Sequence, residues 1–562
     1  MLNFRSFPHY VLTVCAALFM LAACDSGSSG TDGALSTDME APPPSGATHE
    51  SLEEFFLAWR AFERPPFENG VPDYSEATMR ARYAALADWK EALAAVDTSG
   101  WSTADRIDYE LVRAEMNGLE FEHRVRMPWQ RDPGFYKVIY MSRSDVPAHE
   151  GPENHAWFDW WALEKPLSAA DAAVAAEKIG MIPEFYVQAR ENLTGNARDL
   201  WFGGIRVIRE QEGALRAIAA ATDHANVQDA AGRALAATES FGDWLEAELP
   251  SKDGPSGIGK DNYTWYLRNV HLMPWSWEEE VTIMERELAR SWAYLKLTEH
   301  NNRNEPPRDD FDSEAEYRRE MIRAVDAFMQ FLDDGFVSTR PYMRRAMLDH
   351  IGSYVADFDE RSFFTQINMH DAMPMRPHMF HWIELAMLDN DPHERIIRSS
   401  LPLYNIYDGR SEGLATGLEE MMMAAGLMDD GPRAKELIYI MLGQRAARAL
   451  GGLYMHGNEL TMAEASDFAV KWTPRGWMRA DGELVVFEQH LYLQQPGYGS
   501  SYITGKVEIE DLMRVVARQQ GEDFIMQRFM DTFLSSGIIP TSLVRWEMTG
   551  DETHYRSIVD AE

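Results

Sequence analysis

Amphipathic segments recur through the chain from Ser51 onward, and they constrain the fold more than any other feature of the sequence. The first, SLEEFFLAWRAFE, begins with a serine followed by acids and places Phe55, Phe56, Trp59 and Phe62 on one broad face. A capping serine followed by apolar residues at helical spacing is typical of an amphipathic helix. The segments SEATMRARYAALADWKEALAAV and STADRIDYELVRAEMNGLEFEHRV repeat the pattern. The sequence therefore predicts a fold built almost entirely from helices.

Segments with strand character are few, and the best of them is the run YKVIY at Tyr136–Tyr140. After residue 50 the sequence contains neither a repeat of fixed period nor a second low-complexity linker. A hydrophobic content of 45% over 562 residues is ample for a large core. We therefore predict an all-α body, mainly helical with few short strands, that forms a single domain over residues 49–562.

The first 24 residues have the pattern of an export signal. Arg5 precedes the apolar run Tyr10–Ala23, which is shorter than a membrane-spanning helix. The run ends in LAAC, which resembles the bacterial lipobox, in which the cysteine carries lipid. We predict a lipoprotein signal peptide over residues 1–24, with Cys24 as the lipid-modified membrane anchor. An ordinary cleaved secretory signal is the alternative, and both would export the body.

Residues 25–48, DSGSSGTDGALSTDMEAPPPSGAT, are dominated by Gly, Ser, Thr and Pro. This composition predicts a flexible linker between the anchor and the body. Asp25 directly follows the cysteine and resembles the inner-membrane retention signal of some bacteria. We therefore predict a membrane-anchored lipoprotein of the cell envelope that faces the periplasm. The inner membrane is favoured where the retention rule applies.

The charge and the cysteine content exclude several classes of function. The formal net charge is −37, from 53 basic and 90 acidic residues, which argues against nucleic acid as a partner. The two cysteines, Cys15 and Cys24, both lie in the first 24 residues. A metal site in the body must therefore use His, Asp and Glu as ligands.

The stretch from His370 to His456 mixes imidazoles and carboxylates into helical segments that are otherwise rich in Met, Leu, Ile and Ala. Its polar candidates are His370, Asp371, His378, His381, Glu384, Glu412 and His456. Such groups are costly inside an apolar helical core unless they pair with each other or bind a metal. We therefore place the candidate site in this stretch, with a satisfied polar network as the alternative.

A second polar segment, PAHEGPENHAWFDWW, contains His149-Glu150 and then His155. An H-E-x-x-H motif needs its two histidines four residues apart on one helical face. Here the gap is six residues, and Gly151-Pro152 interrupts any helix between them. We therefore predict a structural or loop role for this segment.

Several separate motifs in the last part of the chain carry a family resemblance. Residues 412–419 read EGLATGLE and are similar to E-G-W-A-x-x-x-E, and residues 445–456 are similar to an R-A-x-R…H helix. Residues 496–505 are similar to a P-G-x-x-x-x-Y-x-x-G turn. Over most of residues 50–550 the sequence thus resembles the bacterial family known as domain of unknown function 885. The resemblance implies a large helical body like that of gluzincin metallopeptidases, with a central cleft.

The resemblance fails at one decisive place. Typical members carry H-E-x-x-P-G-H-H upstream of E-G-W-A, which implies two histidine ligands, a general-base glutamate and a third ligand from the E-G-W-A glutamate. This chain has MRPHMFHWIEL there and contains no H-E-x-x-P-G-H-H, and Leu414 replaces the family's Trp. The resemblance therefore implies the fold but not the complete zinc motif.

The candidate metal ligands are His378, His381, Glu412 and His456. If Pro377 begins a helix, the first two lie one turn apart, and Glu412 and His456 would come from two further helices. Three protein ligands and one water would suit zinc, which we predict as the cofactor. A buried ion network with Arg445 or Arg448 is the alternative.

The candidate catalytic residues are Glu419, Tyr502 and Glu384. Glu419 lies seven residues after Glu412, on nearly the same helix face, and could orient a ligand or act as a base. Tyr502 could donate a hydrogen bond to a carbonyl oxyanion, and Glu384 forms an H-x-x-E pair with His381.

The candidate substrate-binding residues are Arg445, Arg448, Arg475 and Tyr492. For Arg475, structural pairing in so acidic a protein is an equal alternative. The residues together predict a hydrolase, assisted by a metal, that acts on peptides or a related amide or ester. Two alternatives stay open: an inactive relative that binds a peptide or envelope component, and a structural envelope lipoprotein. The oligomeric state is not determined by the sequence.

Overall fold

Helices make up almost all of the regular structure, which confirms the predicted all-α class. The computed structural model describes residues 41–43, 46, 48–480 and 482–561. The predicted signal peptide, its Cys24 and most of the predicted linker lie outside the described residues. The part from Ala41 to Glu562 forms one compact unit.

The helices, in chain order, are α1 His49–Glu63, α2 Glu76–Ala94, α3 Thr103–Phe121, α4 Pro128–Arg131, α5 Ala169–Gly180, α6 Ile182–Asn192, α7 Arg198–Ala221, α8 Ala225–Glu248, α9 Lys260–Tyr266, α10 Trp277–Asn301, α11 Glu314–Asp333, α12 Pro341–Asp349, α13 Phe363–His370, α14 Met375–His378, α15 Phe380–Asn390, α16 Ile396–Ser399, α17 Asp408–Ala424, α18 Ala434–His456, α19 Met462–Trp472, α20 Glu483–Gln494, α21 Tyr498–Gln520, α22 Met526–Ser535, α23 Thr541–Thr549 and α24 Thr553–Val559. Single π-helical turns, Glu122–Arg126 and Leu267–His271, extend α3 and α9.

Two short pairs of strands complete the regular structure of the described residues. Strands β1 Phe67–Glu68 and β2 Val71–Pro72 are antiparallel, and β3 Ile139–Tyr140 is parallel to β4 Phe158–Asp159. The predicted strand at Tyr136–Tyr140 is therefore present only in its last two residues. Pro133–Tyr136 forms a 3₁₀ turn instead.

Helix starts follow the capping chemistry that the sequence indicates. Ser75 and Ser102 cap α2 and α3, each accepting a hydrogen bond from a main-chain N–H in the first turn. The first helix begins slightly earlier than its sequence pattern indicates, because Thr48 is the cap and Ser51 completes a reciprocal capping box.

The centre of the fold is a close contact between α17 and α21. A Cβ atom on Gly505 would lie 1.9 Å from the carbonyl oxygen of Gly409, and one on Gly413 would lie 2.5 Å from the backbone of Gly505. No side chain fits at such distances, so glycine is required for the two helices to approach this closely. The contact brings the buried face of α17, which carries Glu412, against the first turns of α21.

Helix α18 lies beside this pair and packs along α10. Nearly all of its side chains are buried, as are those of α17 from Asp408 to Glu419. Helices buried all round lack the one-sided apolar stripe of a surface helix. Their polar residues therefore face protein rather than solvent. No helix of the described part of the chain is long and apolar enough to cross a membrane.

Candidate functional site

The two neighbouring histidines of the MRPHMFH segment lie at a break between helices. Helix α14 ends at His378 and α15 begins at Phe380. The prediction of one helix that starts at Pro377 and continues past His381 is therefore wrong, because the helix is broken at Met379. The imidazole rings of His378 and His381 are nonetheless close, with centroids 5.1 Å apart and planes at 90°. The break therefore keeps both rings at one place in the core.

Asp145, from the loop between β3 and β4, joins the two histidines. One nitrogen of each ring and one carboxylate oxygen of Asp145 all lie within 4.8 Å of one another. His378 and His381 are buried, and Asp145 is half-buried. Two imidazoles and a carboxylate are the donor set that zinc takes in many hydrolytic sites. Asp145 is thus a potential ligand that the sequence reasoning missed.

Glu412 contacts this group from α17. Its Oε2 atom lies 3.1 Å from Nε2 of His381, and its Oε1 atom accepts a 2.7 Å hydrogen bond from the hydroxyl of Tyr498. The other ring nitrogen of His381 lies 3.3 Å from Oγ of Ser411. Glu412 is 2% exposed, so its charge depends on these partners.

Two further carboxyl groups face the same region. Glu150, which follows Asp145 in the loop, has its Oε1 atom 3.3 Å from the hydroxyl of Tyr498. Asp408, at the start of α17, is fully buried, and neither oxygen has a hydrogen-bond partner in the described part of the chain. We call Asp145, Glu150, Asp408 and Glu412, together with His378 and His381, the acidic centre.

The charges of the acidic centre are unbalanced. Burial alone would lower the pKa of His381, but the Glu412 carboxylate beside it outweighs burial and raises that pKa to about 9. Burial and the negative charges of Asp145 and Glu412 raise the pKa of Glu150 to about 8. Burial also raises the pKa of Asp408 well above its ordinary value. Protons therefore neutralise much of the negative charge here.

The pKa of His378 is shifted in the opposite direction from that of His381. Burial, followed by the positive charge of Arg445, holds the pKa of His378 well below its ordinary value, so the ring is neutral. Its Nδ1 atom lies 3.4 Å from Glu419 and 3.2 Å from Nη2 of Arg445. A guanidinium can only donate, so Nδ1 accepts from Arg445 and the proton of the neutral ring is on Nε2. A metal bound at Nε2 would require this proton to move to Nδ1, where it would be donated to Glu419.

Next to the acidic centre lies a layer of paired charges that we call the ion-pair layer: Glu419, Arg445, Arg448 and Glu488. Arg445 donates two 2.7 Å hydrogen bonds to Glu419, and both side chains are completely buried. Arg448 pairs with Glu488 from α20. Each buried charge of the layer thus has an opposite partner, although Nε of Arg445 and Nε and Nη2 of Arg448 make no hydrogen bond among the described residues.

The rings of Tyr502 and Tyr492 lie against Arg448 of this layer, and the ring of Tyr502 also contacts that of Tyr498, with centroids 5.8 Å apart. The guanidinium of Arg448 lies 4.4 Å from the ring centre of Tyr502 and 5.7 Å from that of Tyr492. The hydroxyl of Tyr492 is buried without a hydrogen-bond partner among the described residues. The predicted oxyanion donor Tyr502 is thus one turn away from the tyrosine that contacts Glu412, which is Tyr498.

Three predicted site residues belong to neither the acidic centre nor the ion-pair layer, namely His456, Glu384 and Arg475. His456 is eleven residues beyond Arg445 on α18, which is about 16 Å along the helix axis. Its Nε2 atom lies 2.7 Å from the main-chain oxygen of Tyr492, and burial lowers its pKa to about 4. His456, at the end of α18, therefore contacts the main chain of α20 and does not join Glu412 in a shared ligand set.

Glu384 and Arg475 have protein partners of their own. Glu384 lies one turn beyond His381 on α15 and pairs with Arg410 at 2.7 Å rather than completing an H-x-x-E ligand pair. Arg475 pairs with Glu299 and Glu436 at 2.9 and 3.0 Å. The structural alternative considered for Arg475 is thus the one that the contacts match.

The donors of the acidic centre fit a divalent cation. Zinc bound at about 2.0–2.2 Å places its ligand atoms roughly 3.3–3.6 Å apart, so the three donors need to close by about 1 Å. His378 is neutral already, and His381 would exchange its proton for the metal. A bound cation would also replace the protons that neutralise the buried carboxyl groups of the acidic centre.

Sequence reasoning missed Asp145, Glu150 and Tyr498. The H-E pair at residues 149–150 lacks the spacing of a zinc motif, and the sequence predicts a structural or loop role for it. His149 has such a role, because its ring stacks on Tyr140 and its Nε2 atom lies 2.8 Å from Oδ1 of Asp159. Its neighbour Glu150 nevertheless points to the acidic centre through Tyr498. The two tyrosines of PGYGSSY are four residues apart on one helix face, which is the one signal that could have added Tyr498.

Comparison with protein families gives a match over most of the chain. The family model described as a bacterial protein of unknown function, DUF885, matches residues 61–379 and 381–548. The interruption at Phe380 coincides with the break between α14 and α15, between the two histidines of the acidic centre.

Two solved structures have a similar fold. One, a "putative lipoprotein of unknown function" from Shewanella oneidensis, is 16% identical, covers 90% of this chain and 100% of its own, and has a TM-score of 0.65. The other, a "putative lipoprotein" from Colwellia psychrerythraea, is 14% identical, covers 89% of this chain and 97% of its own, and has a TM-score of 0.58. A search of curated proteins found no match.

Proposed function

The chain belongs to the DUF885 family of bacterial proteins of unknown function, and from that premise we propose that it is a lipid-anchored hydrolase of the cell envelope. Its substrates would be peptides or a related amide or ester. Its cofactor would be a divalent cation, zinc by the ligand types available. The ligands would be Asp145, His378 and His381.

One observation carries this proposal: the donor atoms of Asp145, His378 and His381 converge within 4.8 Å. Of the carboxyl groups beside them, Glu412 pairs with His381, and Asp408 has no hydrogen-bond partner among the described residues. The ion-pair layer shows how this chain treats buried charges that serve structure alone, with one opposite partner for each. The acidic centre departs from that rule, and an incoming cation would correct it.

The residues around the donors have properties that hydrolysis requires. Glu150, with a pKa of about 8, can hold or release a proton near neutral pH at its carboxyl oxygen, as a general acid or base must. Tyr498 keeps its phenolic proton, because burial raises its pKa, and can donate it in a hydrogen bond to a developing oxyanion. A bound zinc ion would supply Lewis acidity and an acidified water.

An adjacent cavity offers a route for substrate. It has a volume of about 590 Å³ and is lined by Glu384, Leu388 and Ile538 among others. Leu388 and Ile538 pack on Val146 and Ala148, which follow Asp145 in the loop. Arg143 of the same loop pairs with Asp389 of α15 at 2.9 Å. The loop that carries Asp145 therefore packs against two residues of the cavity wall.

The lipid anchor at Cys24 and the envelope location rest on the LAAC segment and on the two structural neighbours, both described as putative lipoproteins. An anchored body with a linker of 24 residues would act close to the membrane.

A second candidate is a relative that binds a peptide or envelope component without cleaving it. Burial favours it, because His381 and Glu412 are only 1% and 2% exposed and Glu419 is held completely by Arg445. A substrate could reach such groups only after the loop at Asp145 moves.

A hydrolysis assay separates the two candidates. Purified wild type is incubated with zinc and a panel of short peptides, next to Asp145→Asn, His381→Ala and, as a matched control, His300→Ala at the exposed end of α10. Cleavage by wild type and His300→Ala, and its loss in the other two, supports the hydrolase. Peptide binding without cleavage in all four proteins would favour the second candidate.

A further inference from the structure

A separate cavity of about 90 Å³ lies beneath the loop that follows Glu150. Its wall includes the aromatic rings of Tyr74, Trp129, Phe135 and Trp157. It also includes three glutamate side chains, Glu63, Glu122 and Glu153. Aromatic walls with a few polar groups are typical of pockets for small organic ligands.

The cavity has a mouth. A surface groove of about 470 Å³ shares five lining residues with it, namely Glu63, Glu153, His155, Trp157 and Leu403. The groove is open to solvent beside Arg64, which is exposed. A molecule can therefore reach the cavity from outside without crossing the acidic centre.

Polar atoms of the wall lack partners. Within the described part of the chain, Oε2 of Glu122, Nε1 of Trp129 and Nε of Arg82 are buried and make no hydrogen bond. Trp129 and Arg82 are 5% and 4% exposed. A buried donor or acceptor without a partner destabilises the folded protein until a ligand or another group satisfies it. One acceptor and two donors are thus available to a ligand that carries both kinds of group.

The cations of the wall are already engaged. Arg82 donates to the main-chain oxygens of Phe62, Glu63 and Arg64, where α1 ends. Arg126 binds Glu122 and the main-chain oxygen of Gln494. Burial would raise the pKa of Glu63, but His155 and Arg82 outweigh it and lower that pKa to about 2, so Glu63 is ionised.

The backbone at the cavity wall is strained. Tyr404 and Asn405 are consecutive non-glycine residues in the left-handed region, with φ of 56° and 57°. The Tyr404 ring occupies space that exists only because residue 118 is glycine, where a Cβ would lie 2.3 Å from it. The hydroxyl of Tyr404 then donates to Glu63 at 3.1 Å. Such strain persists where the surrounding structure fixes it, commonly at ligand sites.

From these groups we infer that the cavity binds a free α-ammonium group with its neighbouring carbonyl oxygen, as found in an amino acid or at the amino terminus of a peptide. The ammonium lies between Glu63 and Glu122, and the carbonyl oxygen accepts from the indole N–H of Trp129. The aromatic rings contact the side chain. This site requires no metal and does not depend on the acidic centre.

Titration calorimetry in the presence of EDTA tests the inference with L-alaninamide, L-alanine and N-acetyl-L-alaninamide, the last of which lacks the ammonium. We expect L-alaninamide to bind and the acetylated compound not to bind. Glu122→Gln and Trp129→Phe should each weaken the binding of L-alaninamide by about tenfold or more. Each variant removes one hydrogen bond to a charged or buried group. The matched control is Glu120→Gln, two residues away on α3, which should bind like wild type.

The two sources of the ligand are distinguished by L-alanine: binding as tight as that of the amide indicates a free amino acid, and weaker binding indicates a peptide terminus. Equal binding of the acetylated and free compounds, no binding of any compound, or unchanged binding by both cavity variants would overturn the inference. EDTA removes any metal, so the calorimetry measures binding at this cavity without the proposed metal site. The binding inference and the hydrolase proposal can therefore fail independently of each other.

Discussion

The acidic centre and the ion-pair layer are neighbours in the same core, yet they treat charge in opposite ways. In the ion-pair layer Glu419 and Glu488 each have an arginine partner, and both pairs are buried. In the acidic centre His381 pairs with Glu412, and Asp408 has no hydrogen-bond partner within the described residues. A complete set of pairs is a structural device, whereas an incomplete one calls for a proton or a cation. For this reason the proposed cation site is placed in the incomplete set.

The largest expected effect comes from breaking the ion-pair layer. Burial raises the pKa of Glu419 to about 7 even beside Arg445. Arg445→Met leaves this buried carboxyl group without its partner, whether it stays charged or takes up a proton, and should lower the free energy of unfolding by about 3–5 kcal/mol. Urea denaturation measures the change. The double variant Glu419→Leu/Arg445→Met should recover most of the loss, because it removes both charges. A double variant as unstable as the single one would mean that the pair has a role beyond charge balance.

The acidic centre should respond to cations instead. At zinc concentrations about 100 times the dissociation constant, binding should stabilise wild type by about 2.7 kcal/mol. Asp145→Asn should lose this gain while its stability in EDTA stays equal to or above that of wild type, since it removes one of the crowded carboxyl groups. Thermal denaturation with and without zinc tests both statements. Zinc stabilisation of Asp145→Asn equal to that of wild type would remove Asp145 from the ligands.

The acidic centre should also make stability depend on pH. In EDTA the folded state holds protons that the unfolded state releases, on Glu150 between pH 4.5 and about 8 and on His381 between pH 6.5 and about 9. The contribution of each group is fully present below its unfolded pKa and is lost as pH rises to its folded pKa. Glu150→Gln should therefore gain stability relative to wild type as pH rises from 4.5 to 8. Urea denaturation at several pH values gives this difference, and a constant difference would contradict the raised pKa.

The smallest effect is expected at His456, the predicted ligand that lies outside both groups. His456→Leu removes one hydrogen bond to the main chain of Tyr492 and should cost about 1 kcal/mol. Since its pKa is about 4, the ring is neutral and no charge is lost near pH 7. Zinc stabilisation should stay as in wild type. Loss of zinc stabilisation in His456→Leu would instead indicate that His456 is a metal ligand.

The sequence was most informative where local chemistry decides the structure. Serine caps and apolar faces predicted α2 and α3, and the motif glycines Gly413 and Gly505 lie where two helices touch. Within the site, the pattern MRPHMFH placed His378 and His381 together, although the helix break at Met379 was not expected.

The remaining part of the site depends on long-range contacts that no local pattern encodes. Asp145 and Glu150 come from an irregular loop more than 200 residues before the histidines, and only tertiary packing brings them to α15 and α17. His456 was assigned to the site because it follows Arg445 on one helix, but the axial rise of α18 carries it to α20.

The most direct test of a cation in the acidic centre is the metal content of purified protein by mass spectrometry, for wild type, Asp145→Asn, His378→Ala and His456→Leu. We expect about one zinc for each molecule of wild type and of His456→Leu, and little zinc in the other two variants, because each of these lacks one of the three proposed ligands. A wild type that remains free of metal after incubation with zinc, or a His378→Ala variant that still binds it in full, would contradict the central claim.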